Sequence, residues 1–256
     1  MKIQGKVFVV TGGASGLGAA TATYLVGQGA KVIMVDMNQE LGQEMQHRLG
    51  EQSVFVKLDV TDEHAVKVFF ENIEQQYGQL NGLVNCAGIA PSAKVLGRDG
   101  MHDFAMFQRV LNINVNGTFN MIRFAASLMA KYLLQAGEEE RGVIVNTASV
   151  AAYDGQIGQS AYAASKGAVV AMTLPLAREL AREAIRVMTI APGIMETPML
   201  KAMPQNVQDA LGQMVPFPSR LAKPEEFAHL VGHIFENSYL NGEVIRLDGA
   251  IRMQPK

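Results

Sequence analysis

Tyr162 and Lys166, four positions apart in SAYAASKGAVVAM, are the residues of this 256-residue chain whose types and spacing point most directly to chemistry. On a helix that spacing puts both side chains on one face. An ammonium about 4 Å from a phenol is worth roughly 4 kcal/mol at an effective dielectric of 20, close to three pKa units. The pairing therefore predicts a phenol drawn down from its ordinary range toward the working range of a general acid or base. Ser149 ends the strand-like run GVIVNTAS thirteen residues before Tyr162, where its hydroxyl could meet a substrate oxygen as charge develops on it. Asn114, within LNINVNG, could hold a water linking Lys166 to solvent, or it could simply bond locally as a polar helix residue.

A second cluster lies near the N-terminus. The stretch Thr11-Gly12-Gly13-Ala14-Ser15-Gly16-Leu17-Gly18 joins a strand-like run to the helical AATATYLVGQG. A glycine-rich strand-to-helix turn lets backbone amides approach a pyrophosphate, and the helix N-terminus adds positive potential. The glycines follow G-x-x-x-G-x-G and not the common dinucleotide spacing, and in a chain with 25 glycines the pattern gains its force from this context. The next strand ends at Asp36, eighteen positions past Gly18 and close to the ~20 expected of a carboxylate that accepts from the adenine ribose. Such a carboxylate repels a 2′-phosphate, and Ser15 and Met37 bring no cation to welcome one, so NAD is expected over NADP; a solvated strand-end aspartate is the plainer alternative. Asp59 and Val60 close the third strand-like run and Asn85-Cys86-Ala87-Gly88 the fourth, at the same edge. With no histidine placed to activate it, Cys86 reads as a small packing residue and not a nucleophile. Thr197, past the sixth strand, could reach the nicotinamide carboxamide.

The elements that must position these residues alternate along the chain. KVFVV, KVIMVD, VFVKLDV, GLVNCAG, GVIVNTAS, RVMTIAPG and GEVIRLDG read as strands, with helical patterns beginning near Gly16, Glu63, Asp103, Ser160 and Pro224. That order predicts an α/β fold of the Rossmann type, a doubly wound parallel sheet of seven strands with helices on both faces. One domain is expected over 1–256, with a dinucleotide-binding half over about 1–150 and a catalytic and substrate half over about 140–256. The irregular segments Ile89 to His102 and Met195 to Pro218 follow strand ends, the place where ligands bind in such sheets, and are the expected pocket walls. Pro175 predicts a kink or break in the helix that starts near Ser160. His229 and His233 are four apart, but the pattern lacks the glutamate and third ligand of a metal site, so no metal is expected.

A formal charge of -2 argues against nucleic acid or an anionic membrane as partner. The lone cysteine sets no demand for an oxidising compartment. The opening MKIQGKVFVV runs straight into a strand, and a cytoplasmic location is the expectation.

Taken in order, TGGASGLG, Asp36, Asp59-Val60, NCAG, Asn114, Ser149, Tyr162-x-x-x-Lys166 and PGIMETP resemble the short-chain dehydrogenase/reductase superfamily over nearly the whole chain. The resemblance implies an oxidoreductase with a catalytic set of Asn114, Ser149, Tyr162 and Lys166. It also implies NAD contacts at Gly12, Ser15, Gly16, Leu17, Gly18, Asp36, Asp59, Val60, Cys86, Ala87, Gly88, Tyr162, Lys166, Met195 and Thr197, and substrate contacts at Ser149, Gln159 and Tyr162. VIVNTASVAAYDGQIGQSAYAASKG, VPFPSRL and NGEVIRLDGAIRMQP are similar to the type II 3-hydroxyacyl-CoA dehydrogenases, a group that includes hydroxysteroid dehydrogenases. That similarity implies interconversion of 3-hydroxyacyl-CoA and 3-oxoacyl-CoA in fatty acid metabolism. The alternatives are a hydroxysteroid or general secondary-alcohol dehydrogenase and, outside enzymes, a cofactor-bound scaffold subunit; Asp36 opposes an NADP-linked carrier-protein reductase. Lys94, Arg98 and Lys201 become candidates for the CoA phosphates. Met195, Met199, Leu200, Met203, Leu211 and Met214 become an adaptable substrate wall or, as plainly, the packing of a short helical lid. Family members are commonly homotetramers, and small residues between Ser160 and Met172 would permit close helix-to-helix contact.

Overall fold

The computed structural model describes residues 1–98, 100–134, 136–201 and 204–255, with Met199 described by its backbone alone. The chain runs β1 Val7–Thr11, α1 Gly16–Gly27, β2 Lys31–Asp36, α2 Gln39–Leu49, β3 Ser53–Lys57, α3 Glu63–Tyr77 and β4 Gly82–Asn85. The two-residue strands β5 Leu96–Gly97 and β6 Gly100–Met101 follow, then α4 Phe104–Leu111, a π-helical segment Asn112–Gly117 and α5 Thr118–Lys131. The second half holds β7 Gly142–Thr147, α6 Ser160–Leu180, β8 Ile185–Pro192, α7 Pro198–Lys201, α8 Gln205–Gln213, α9 Pro224–Glu236 and β9 Val244–Leu247.

All seven expected strands form one parallel sheet in the order β3-β2-β1-β4-β7-β8-β9. Because the order turns back beyond β1, a crevice opens between the carboxyl ends of β1 and β4. Alternate residues of each strand point to opposite faces, and both faces are buried. Val7, Val9, Ile33 and Val35 pack with Phe69, Phe70, Met121 and Met129 of α3 and α5. Phe8, Val10, Val32 and Met34 pack with Leu25 of α1 and Phe227, Val231 and Phe235 of α9. Asn38, Asp62 and Asp103 cap α2, α3 and α4 by accepting from Leu41, Ala65 and Ala105 amides.

Several expectations change. Helix α2 is an addition, because QELGQEMQHRL buries only Gly42 and Met45 and so carries a thin apolar signal. Strand β3 stops at Lys57, leaving Asp59 and Val60 in the loop beyond it instead of closing the strand. Helix α6 continues through Pro175 to Leu180, so of the expected kink or break the break is absent. Pro175 and Ala171, whose carbonyl loses its partner to the missing amide, are both exposed, and water can satisfy that oxygen. Among the described residues no helix is long and apolar enough to cross a membrane.

Candidate active site

The glycine-rich turn is shaped by contacts that exclude side chains. Gly12 and Gly16 hold φ of +63° and +53°, and a Cβ on Gly12 would stand 2.9 Å from the Ala87 amide nitrogen. A Cβ on Gly18 would collide with the Gly12 carbonyl. Thr11 Oγ1 accepts from the Cys86 and Ala87 amides, both at 3.1 Å, and joins the turn to the end of β4. Asp36 accepts from the Ala14 amide at 3.2 Å and the Asn38 amide at 3.0 Å, which fixes its carboxylate beside the turn. Ser15, the residue before α1, leaves its hydroxyl uncommitted. Over Gly16 stand Pro198 and the Thr197 methyl, 3.7 and 3.9 Å from where a Cβ would lie. Asp59 is exposed and accepts from the Thr61 amide and hydroxyl. The Val60 carbonyl accepts from Asn120 Nδ2 at 2.9 Å.

This cradle fits a dinucleotide: side-chain-free backbone for the pyrophosphate, a helix N-terminus, and an oriented carboxylate for the ribose that pairs with no cation among the described residues. Leu17 is half-buried beside the turn. Met195 is 5% exposed and packs in the core, and its backbone pairs with Ala222.

At the chemical end, Lys166 is buried and donates from Nζ to the Thr147 carbonyl at 2.7 Å. Asn114 sits on the π-helical segment, a form that recurs at functional sites. Its Oδ1 accepts from the Ile89 amide at 2.8 Å, and its Nδ2 donates to the Ile89 carbonyl at 2.9 Å and to Ser165 Oγ at 3.0 Å. The side chain therefore ties the start of one pocket wall to α6. Gly88 permits the approach, since a Cβ there would lie 3.1 Å from Asn114 Oδ1 and 3.6 Å from Lys166 Nζ.

The electrostatic expectation for Tyr162 is reversed. Burial pushes its phenol above the ordinary range, and the neighbouring Ser149 hydroxyl offsets only part of the shift. Lys166 Nζ lies 5.7 Å from the centre of the ring and is committed to the Thr147 carbonyl. Its own burial lowers its pKa to about 8. Desolvation of both groups outweighs their pairing. Cys86 agrees with the packing role: burial raises its thiol to about 11, with Thr147 donating to the sulfur.

The substrate walls divide. Lys94, Val95 and Leu96 line a cleft of about 450 Å³ together with Gln156, Ile157, Gln159 and Ser160. Arg98 is exposed on the β5–β6 turn. Lys201 pairs with Glu196 at 3.4 Å. In the second wall, Leu200, Leu211 and Met214 are half-buried, while the Met199 side chain and Met203 lie outside the described residues. His229 packs edge-on against Tyr24, and no metal-binding cluster occurs among the described residues. Sequence reading assigned no role of their own to Thr11, Asn120, Thr147 and Ser165. Thr147 acts toward Lys166 through its main chain, which leaves no side-chain signature.

The family model for short chain dehydrogenase matches residues 6–208. The chain is 54% identical to 3-hydroxyacyl-CoA dehydrogenase type-2 of Drosophila melanogaster, over 99% of this chain and 100% of that protein. It is 52% identical to the Homo sapiens protein of the same name, over 99% and 97%. The crystal structure of 3-hydroxyacyl-CoA dehydrogenase type-2 from Mycobacterium avium superposes with a TM-score of 0.93 at 38% identity, covering 100% of this chain and 98% of that one.

Proposed function

The chain belongs to the short-chain dehydrogenase family and is an oxidoreductase, and from that premise we propose that it interconverts 3-hydroxyacyl-CoA and 3-oxoacyl-CoA with NAD. What supports the reading is that Tyr162 lies beside Ser149 and Lys166, that Asn114 and Lys166 both approach Gly88, and that Asp36 sits beside the glycine turn. Gly12, Ser15, Gly16, Leu17, Gly18, Asp36, Asp59, Val60, Cys86, Ala87, Gly88 and Thr197 line the proposed cofactor track, joined by the Met195 main chain. Bound NAD supplies the hydride acceptor or donor. With its pKa raised, Tyr162 is protonated at neutral pH and donates from its hydroxyl to the ketone oxygen during reduction. In the reverse direction the phenol must release that proton, and the charged Lys166 nearby favours the phenolate. Ser149 orients the substrate oxygen, Gln159 belongs to the acyl wall, and Lys94 at the cleft mouth suits a CoA phosphate. We also assign it to fatty acid metabolism and to a homotetramer, for which Ala164 and Ala171 form an exposed small-residue stripe on α6.

The test is a panel of acetoacetyl-CoA, longer 3-oxoacyl-CoA thioesters, steroids and simple alcohols, each with both nicotinamide cofactors. Acetoacetyl-CoA should react, with NAD chemistry preferred about a thousandfold over NADP because Asp36 meets a phosphate with repulsion. Asp36→Ala should narrow that ratio from both sides. Inert thioesters beside well-used steroids or alcohols would establish the other substrate class, and a wild-type preference for NADP would overturn the cofactor assignment.

A further inference from the structure

Between Ser149 and Tyr162 the chain makes a loop, Tyr153 to Gln159, that forms one side of the cleft. It is held from two directions. On one side the Gly158 carbonyl accepts from the Ala93 amide at 2.9 Å. On the other lies the end of the chain. Arg246 of β9 donates through Nη2 to Asp154 at 2.6 Å and through Nε to Asp248 at 2.7 Å, with its guanidinium 5.2 Å over the Tyr153 ring. Nη2 also reaches the Ile251 carbonyl at 3.1 Å. Farther along, the Gln254 carbonyl accepts from Gln156 Nε2 at 3.1 Å and the Pro255 carbonyl from the Ile157 amide at 2.9 Å. Gln156 in turn donates its amide to Gln159 Oε1 at 3.0 Å. A continuous set of contacts thus runs from β9 and the terminal segment through the loop to the cleft wall.

Neither Arg246 nor Asp154 faces the reacting atoms, and neither has a part in the chemistry described above. Two charges are nonetheless withdrawn from water there, with side chains 22% and 17% exposed. A guanidinium that bridges two carboxylates, one on the loop and one at the end of β9, fixes direction as well as distance.

We propose that Arg246 and Asp154 are positioning residues for the substrate: they clamp the terminal segment Asp248–Pro255 to the loop and so set where Gln156, Ile157 and Gln159 stand in the cleft. The inference rests on the proposed thioester reading for its substrate, not for its geometry. A long acyl thioester contacts the wall; a small ketone reduced at Tyr162 does not reach it. Loosening the clamp therefore raises the KM of the first and leaves the second alone.

The experiment compares wild type with Arg246→Met, Arg246→Lys and Asp154→Asn, using a 3-oxoacyl-CoA and a small ketone as substrates, together with hydrogen exchange of residues 153–159. Arg246→Met and Asp154→Asn should raise KM for the thioester about tenfold or more, with kcat and NAD affinity within about twofold, since misplacing a positioning group acts on alignment. Exchange should quicken in the loop, and Arg246→Lys should recover part of both effects. If Arg246→Met does not fold, Asp154→Asn, which removes one charge at constant shape, decides. Unchanged KM and unchanged exchange in folded variants overturn the clamp, and so does an equal loss for both substrates. A wild type inactive on every thioester overturns the functional reading instead, and the clamp is then judged by loop exchange and by KM on whichever bulky ketone reacts.

Discussion

Tyr162 and Lys166 share one poorly hydrated corner, and each suffers for it in opposite senses, the phenol shifting up and the ammonium down. Tyr162→Phe removes only the hydroxyl, so it should leave fold and NAD binding intact while turnover falls about 10²- to 10⁴-fold. Near-normal steady-state rates in that variant would remove Tyr162 from the reaction. For Lys166 the drop from an ordinary 10.5 to about 8 means that the folded protein holds this proton less tightly than the unfolded chain does. Below pH 8 both states carry it, and the cost of the buried charge is complete. Between pH 8 and 10.5 the unfolded chain binds the extra proton, so this contribution to stability rises with pH. The cost is about 3 kcal/mol at pH 7. Lys166→Met should accordingly be more stable than wild type at pH 7 by a value up to that figure, with the gap shrinking by pH 10, and with turnover lost. Denaturant melts at the two pH values check this; a variant less stable at pH 7 would mean that the Thr147 hydrogen bond outweighs the burial cost.

Helix α1 shows how one element can be tolerant at one end and intolerant at the other. Gly18 has no room for a methyl group, because the Gly12 carbonyl occupies it, whereas Gly27 has open space around it. Gly18→Ala should weaken NAD binding by more than about tenfold, or ~1.4 kcal/mol. Gly27→Ala should leave binding untouched and stabilise by about 0.5–1 kcal/mol through reduced chain entropy. Isothermal titration with NAD and thermal melts separate the two, and equal cofactor affinities would mean that the turn yields. The π-helical segment between α4 and α5 is the other element built around the site. It turns Asn114 toward Ile89 and Ser165, and a few residues later α5 delivers Asn120 to the Val60 carbonyl, so one helix braces both ends of the crevice.

The sheet order decides which loops meet. With β1 next to β4, and β7 beyond β4, the glycine turn, Cys86–Gly88 and Ser149 emerge at one edge. The outer face of α6 is a separate matter, since Ala164, Ala171 and Leu174 are exposed along it. Small residues there allow two helices to approach closely across a symmetry axis. Light scattering should give a tetramer for the wild type at micromolar concentration and a lower mass for Ala171→Arg. A monomeric wild type would end that assignment.

What the sequence determined by itself was whatever depends on local pattern. Seven apolar runs with β-branched residues must bury both faces, and a parallel sheet is the arrangement that allows it. Glycine spacing, Asp36 and the four-residue step from Tyr162 to Lys166 are likewise local facts, and the structure sets Asp36 beside the glycine turn and Lys166 beside Tyr162. Helix α2 was hard to read because its surface is almost wholly polar, and the end of β3 because Leu58 and Val60 remain apolar after pairing stops. Three matters were left to the tertiary structure. The sign of the Tyr162 shift depends on how much water the surrounding elements exclude, a quantity no four-residue spacing contains. Met195 pairs its backbone with Ala222, distant in sequence, and packs in the core. The link from Arg246 to Asp154 spans ninety-two positions. Contacts of that kind arise only when the sheet has set β9 beside β8, so they follow from packing and leave no trace in the order of residues.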